Sequence, residues 1–353
     1  MAMKGQIQVQ FNWMFVLIVG GLILLFFTNI IIKYQDTSES QTALTVINDL
    51  QTIATGAGVS KGTAQVLNKP NVDLLVSCGM DEDCDCNFKM SGNSKRFGDI
   101  RLFAPERVTG REMVAWTLDW NCPFRITNFL YLTSPDVMYY LVDITGASQV
   151  DDFVNETLPS LLNYKHMGDA LDASGPLQDQ NDPVIKVVYF GSCPSPGDAN
   201  NFSGFDMATD DVKGLCIQSS GPLFNKGTLK FYEVDNNWDF IQDGYDINFT
   251  GDESMFAAIF AGSYHNYECN MKEAFKRMVT ISDIYIERTN TLTCVGGSGT
   301  LYDKANETLH ALRSNASLLS RRVNGSYSEL YDLQENMTFH NSQLQIRSCP
   351  SIY

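Results

Sequence analysis

The run from Phe11 to Ile32, FNWMFVLIVGGLILLFFTNIII, limits this chain more than any other stretch, because no charged side chain interrupts its 22 residues. At a helical rise of about 1.5 Å per residue it reaches roughly 33 Å, against a hydrocarbon core of about 30 Å. The run predicts a transmembrane helix, with the lipid bilayer as partner of residues 11–32 and everything after it displayed on one side.

Three features decide which side. Lys4 precedes the run and Lys33 follows it, so the charge asymmetry that sets topology is nearly even. All nine cysteines (Cys78, Cys84, Cys86, Cys122, Cys193, Cys216, Cys269, Cys294 and Cys349) follow the run, as expected for an oxidising compartment. Seven Asn-x-Ser/Thr sequons, at Asn155, Asn201, Asn248, Asn306, Asn315, Asn324 and Asn336, also follow it. Chance would supply roughly four, so the excess favours an N-glycosylated exterior. The expectation is a single-pass glycoprotein of the cell membrane, with a short cytoplasmic amino terminus and a large extracellular domain. The acidic balance, 25 Lys plus Arg against 41 Asp plus Glu for a formal charge of −16, argues against nucleic acid and against flat binding to anionic lipid.

The residues before the run carry a further signal. Met-Ala-Met-Lys4-Gly5-Gln6, a short polar lead and then the apolar helix resemble the class III signal peptides of archaeal type IV pilin-like surface proteins. The resemblance covers about the first thirty residues. It implies cleavage between Gly5 and Gln6, with the apolar helix kept in the mature chain as an assembly element. The sequence departs from the bacterial pilin pattern at Gln10, where those proteins carry Glu. An uncleaved signal anchor is the alternative. The resemblance further implies a structural, assembly or adhesion role, with copies of the chain or other surface proteins as partners.

Beyond Ile32 the helical pattern continues. Leu44, Ile47, Leu50 and Ala54 recur at helical spacing until Gly56-Ala57-Gly58. The chain then divides into a lead (1–10), a span (11–32), a helical stalk (33–58), a disulfide-bonded head (59–299) and a glycosylated helical hairpin (300–353). In the head, 71–77 and 99–104 read as short strands around the cysteine-dense loop from Cys78 to Cys86. Runs at 126–132, 137–144, 184–190 (led by Pro183), 212–218 and 227–233 read as further strands, and 150–164, 253–261 and 267–292 as helices. Strands alternating with helices predict an α/β head, a mixed sheet with covering helices.

In the last segment Leu301, Ala305, Leu309, Leu312, Ala316, Leu319 and Val323 form one apolar stripe, and Tyr327, Leu330, Leu333 and Met337 another. The sequons fall off both stripes at about 100° per residue. A hairpin with Asn324-Gly325-Ser326 near its tip brings Cys294 and Cys349 together; one continuous helix would hold them roughly 80 Å apart. The favoured disulfides are Cys193 with Cys216 and Cys294 with Cys349, one pair within Cys78, Cys84 and Cys86, and one long-range pair. One of the nine cysteines is left over.

Catalytic chemistry is hard to find. The loop at Cys78–Cys86 offers thiolates and the carboxylates of Asp81, Glu82, Asp83 and Asp85, but its spacing fits neither a zinc nor a calcium motif. His166, His265, His310 and His340 are scattered, with no His-Glu-x-x-His helix and no Gly-x-Ser-x-Gly elbow. Gly296–Gly299 lacks the Lys-Ser/Thr ending of a phosphate loop. Acidic pairs such as Asp151-Asp152 and Asp210-Asp211 are expected by chance in a chain this acidic. No catalytic residue, metal or cofactor is predicted and the chain reads as a non-enzyme. The runner-up is a tethered receptor or ligand-binding module with a pocket at the carboxyl ends of its strands; an extracellular hydrolase trails both.

Overall fold

The computed structural model describes residues 4–57, 64–79, 84, 86–96, 100–143, 157–167, 184–203, 208–219, 225–294, 299–323 and 328–353; within the first helix it describes the side chains of 16–31, 41–50, 52 and 56. In chain order, helix α1 (Lys4–Ala57) leads into strands β1 (Ala64–Asn68), β2 (Leu74–Cys78), β3 (Cys86–Met90), β4 (Asn93–Arg96), β5 (Arg101–Phe103) and β6 (Arg107–Val108). Then come β7 (Glu112–Asn121), β8 (Arg125–Thr133), β9 (Val137–Asp143), β10 (Asn163–Met167), β11 (Val184–Phe190), β12 (Val212–Ser219), β13 (Lys226–Val234) and β14 (Phe240–Thr250). Helices α2 (Asp252–Phe260), α3 (Tyr264–Thr291), α4 (Gly299–Leu319) and α5 (Ser328–Ile346) complete the chain.

The strands form three sheets, in the orders β1-β7-β8-β5, β4-β3-β2-β6 and β10-β9-β11-β12-β13-β14. In the six-stranded sheet β10, β9, β11 and β12 run parallel, and β12, β13 and β14 form an antiparallel meander. Every residue of β11 is buried, which explains its continuous apolar run, VIKVVYF: a parallel strand covered on both faces has no polar side to show. Period-two alternation then sorts its side chains. Val184, Val188 and Phe190 enter the main core, whereas Ile185, Val187 and Tyr189 enter a smaller core with Ala199 and Phe202.

The first four-stranded sheet is shared in the same way. Val114, Trp116, Phe129 and Tyr131 face the main core, which contains α2 to α5; Met113, Ala115, Leu130 and Leu132 face a second core with Leu74, Phe88 and Met90. Into that second core α1 inserts Ala43, Val46, Ile47 and Leu50. Of the expected stripe Ile47 and Leu50 are buried, whereas Leu44 is 45 % exposed and Ala43 and Val46 face the core beside them.

The expected transmembrane stalk is overturned: among the described residues no helix is long and apolar enough to cross a membrane. The helix expected over 150–164 is also corrected. Residues 150–156 lie outside the described residues, and 157–162 lead by a short turn into β10, which pairs parallel with β9. The long strands β7 and β14 were not anticipated. The carboxyl-terminal pair α4 and α5 sends Ala305, Leu309, Leu312, Ala316, Leu330 and Met337 into the main core.

Candidate functional site

A cleft of about 380 Å³ opens where the amino ends of β9, β11 and β12 meet the end of α2. Its walls are apolar: Val137, Tyr139, Ile185, Ile259, Phe260 and Ala261. This is the opposite end of the parallel strands from the carboxyl-end pocket of the runner-up reading. The reason is local: α2 ends at Phe260, Ala261 leaves it in extended conformation, and Gly262 donates its amide to Ala104 O at 2.8 Å, which bends the chain over these strand starts. A Cβ at Gly262 would stand 2.4 Å from the Glu106 amide nitrogen, so only glycine permits that approach.

Lys186 is the polar residue inside this apolar frame. On β11 it shares the face of Val184 and Val188 and is 5 % exposed. Its Nζ donates to Ala261 O at 2.6 Å and lies 5.4 Å from the centre of the Phe231 ring. That carbonyl belongs to the end of α2, where a positive charge complements the helix dipole. An ammonium has three N–H donors. Among the described residues this one has a single hydrogen-bond partner, and no carboxylate lies within 4 Å. Burial, and then the neighbouring charge of Lys213, push its pKa down to about 7 against the opposing pull of Glu106 and Asp243.

The rim is charged and largely self-paired. Arg107 holds Asp211 in a short ion pair, and Lys213 bonds Glu233 at 3.0 Å and approaches Glu106 at 3.9 Å. Burial alone would lower Lys213, yet the hydrogen bond to Glu233 and the charges of Glu106, Glu233 and Asp210 outweigh it and hold its ammonium above the usual range. The cleft is therefore an apolar slot with one lightly partnered amine in its wall and a salt-bridged mouth.

Four disulfides are formed: Cys78–Cys86, Cys84–Cys269, Cys193–Cys216 and Cys294–Cys349. Cys122 is the free, buried thiol, and burial raises its pKa to about 12, so it is unreactive. Among the described residues no cluster of three or more His, Cys, Asp or Glu side chains is arranged for a metal, and Asp81, Glu82, Asp83 and Asp85 lie outside them.

Of the sequon residues, Asn155 and Asn324 lie outside the described residues. Asn336 on α5 is exposed, whereas Asn201, Asn248, Asn306 and Asn315 are half-buried. Asn306 Nδ2 donates to Asn290 Oδ1 at 2.7 Å, and Asn248 Oδ1 accepts from Thr228 at 3.0 Å. Gly5 and Gln6 fall inside the first turns of α1. The four histidines stay apart: His166 on β10, His265 on α3 near Glu268, His310 exposed on α4, and His340 on α5, where burial and Lys304 lower its pKa. Asp210 and Asp211 stand at the cleft mouth, with Asp211 already paired; Asp151 and Asp152 lie outside the described residues.

Sequence reasoning passed over Lys186. Its only trace was a lysine in an otherwise apolar strand, a pattern that marks a buried charge. Comparison with family models, with curated proteins and with solved structures finds no match to this chain.

Proposed function

We propose that this chain is a non-enzymatic, N-glycosylated and disulfide-bonded surface protein with a structural, assembly or adhesion role, held to copies of itself through α1. The observation that carries the reading is a run of eleven large apolar side chains on α1, from Val16 to Ile31, between 44 % and 70 % exposed. Later in the same helix Ala43, Val46, Ile47 and Leu50 are covered by the head. An apolar surface of this extent is unfavourable in water and calls for a cover. Four disulfides support folding in an oxidising compartment, which agrees with a place outside the cytoplasm. The pilin-like lead around Lys4-Gly5-Gln6 makes a second copy the favoured cover.

Sedimentation velocity and negative-stain imaging of the full chain test this. Oligomers or filaments are expected, and Leu24→Asp with Phe27→Asp should disperse them to monomers while the head keeps its disulfides. A wild-type chain that stays monomeric across the micromolar range would overturn the reading.

A second reading, a binding module, is favoured by the apolar cleft at Lys186. Saturable uptake of a small apolar probe that Ala208→Phe at the cleft mouth abolishes would support it.

A further inference from the structure

We infer that the cleft is a capture site for small apolar aldehydes, with the Lys186 amine as the group that bonds them as an imine. The inference deepens the binding-module reading and is independent of assembly through α1.

The geometry supplies three requirements. The first is a slot of the right size and character: about 380 Å³ walled by Val137, Tyr139, Ile259 and Phe260 holds a body of roughly a dozen or more heavy atoms. The second is an amine in the wall of that slot. Lys186 and its acceptor Ala261 both line it, and a neutral carbonyl is the amine's one hydrogen-bond partner among the described residues. The Ala261 carbonyl and the Phe231 face favour the ammonium, but burial opposes it, and among the described residues no carboxylate within 4 Å offsets that burial. The low pKa is consistent with this and yields a lone pair near neutral pH. The third requirement is that competing amines be tied up. Lys213, the nearest, is bound to Glu233 and Glu106.

The step balances without a co-reactant. The nitrogen lone pair attacks the carbonyl carbon, an N–H proton passes to the carbonyl oxygen, and the carbinolamine then loses water to leave a C=N bond to Lys186. No oxidant or reductant is consumed, and water reverses the reaction.

Hexanal with sodium cyanoborohydride at pH 7.4, applied to the intact disulfide-bonded protein, tests the proposal through peptide mapping of the reduced adduct. Lys186 should be alkylated at least ten-fold faster than Lys276, which is half exposed and paired with Glu273. Ala208→Phe should slow Lys186 at least five-fold and leave Lys276 unchanged. Hexanol, the same body without a carbonyl, should protect Lys186. Equal rates at Lys186 and Lys276 would overturn the capture chemistry, as would labelling that Ala208→Phe does not alter. If hexanol binds saturably in a titration while hexanal does not label Lys186, the cleft survives and the imine falls; if neither occurs, both fall.

Discussion

Asn270 on α3 closes the free edge of β5: its Nδ2 donates to Leu102 O at 2.7 Å and its Oδ1 accepts from Leu102 N at 3.0 Å. One side-chain amide thus does what a neighbouring strand would do, at the edge of the sheet β1-β7-β8-β5. Asn270 is itself buried, so both bonds are shielded from water. Replacing it strands the N–H and C=O of Leu102. Asn270→Leu should therefore cost about 2–4 kcal/mol in urea unfolding, more than its change in apolar volume would suggest. A loss below 0.5 kcal/mol would show that water reaches this edge.

Removal of Cys84–Cys269 tests a different kind of constraint. Its partners stand 185 residues apart, against 8 for Cys78–Cys86. In the chain-entropy account the paired change Cys84→Ser with Cys269→Ser should cost about 5 kcal/mol, and Cys78→Ser with Cys86→Ser about 2.5 kcal/mol. Equal losses in chemical denaturation would mean that local packing, rather than loop closure, governs both.

Two groups of opposite kind, the half-buried Glu253 and the buried Lys186, should shape the response to pH. Glu253 on α2 has its pKa raised to about 7, chiefly by burial and then by Asp252 and Asp119. Between the ordinary carboxylate value and 7 the folded state binds more protons than the unfolded, so stability falls as pH rises through that window. Lys186, lowered to about 7, does the reverse: from 7 to about 10 the unfolded state binds more protons, and stability rises with pH. Together they predict a dip near neutrality in the melting temperature. Glu253→Gln should remove the acid limb and raise stability at pH 8 by about 2–3 kcal/mol. Lys186→Met should flatten the alkaline limb. Parallel profiles for wild type and variants, from calorimetry at intervals of half a pH unit, would contradict both assignments.

Glycan occupancy should follow exposure. Asn336 presents its amide to solvent on α5, while Asn306 is engaged with Asn290 and has a buried Oδ1. Glycopeptide mass spectrometry of protein from a glycosylating host should find Asn336 more fully occupied than Asn306, since an attached sugar needs an open surface. The opposite order would indicate that α4 leaves the head before it is modified.

Much of the α/β character was legible because burial writes itself into local pattern. The continuous run of β11 and the three-four stripe of α3, with Tyr267, Met271, Phe275 and Met278 all buried, are read from neighbours alone. The strands β7 and β14 hid for the opposite reason. EMVAWTLDWN interrupts its buried apolar pattern with Thr117 and Asp119, the latter 3.6 Å from Arg125 on the neighbouring strand, and FIQDGYDINFT is an edge strand whose first half faces water. The site was least legible of all. Nothing near Lys186 in sequence announces Ala261, 75 residues away, or Lys213 beside it in the register of β11 and β12. The apolar run of α1 led to the expectation of a membrane span, yet among the described residues no helix is long and apolar enough to cross one, and the head covers only the later stretch at Ala43, Val46, Ile47 and Leu50.

The seating of α1 in the second core has a mechanical meaning. A pull along this helix loads Ala43, Val46, Ile47 and Leu50 in shear against Leu74, Phe88 and Met90, so all of these contacts must slip together rather than peel one at a time. From β3 the load passes towards Cys84, whose covalent bond to Cys269 hands it to α3 and so to the main core. A chain that joins others through α1 would in this way pass tension from the packing of α1 on this sheet through one covalent link into the main core.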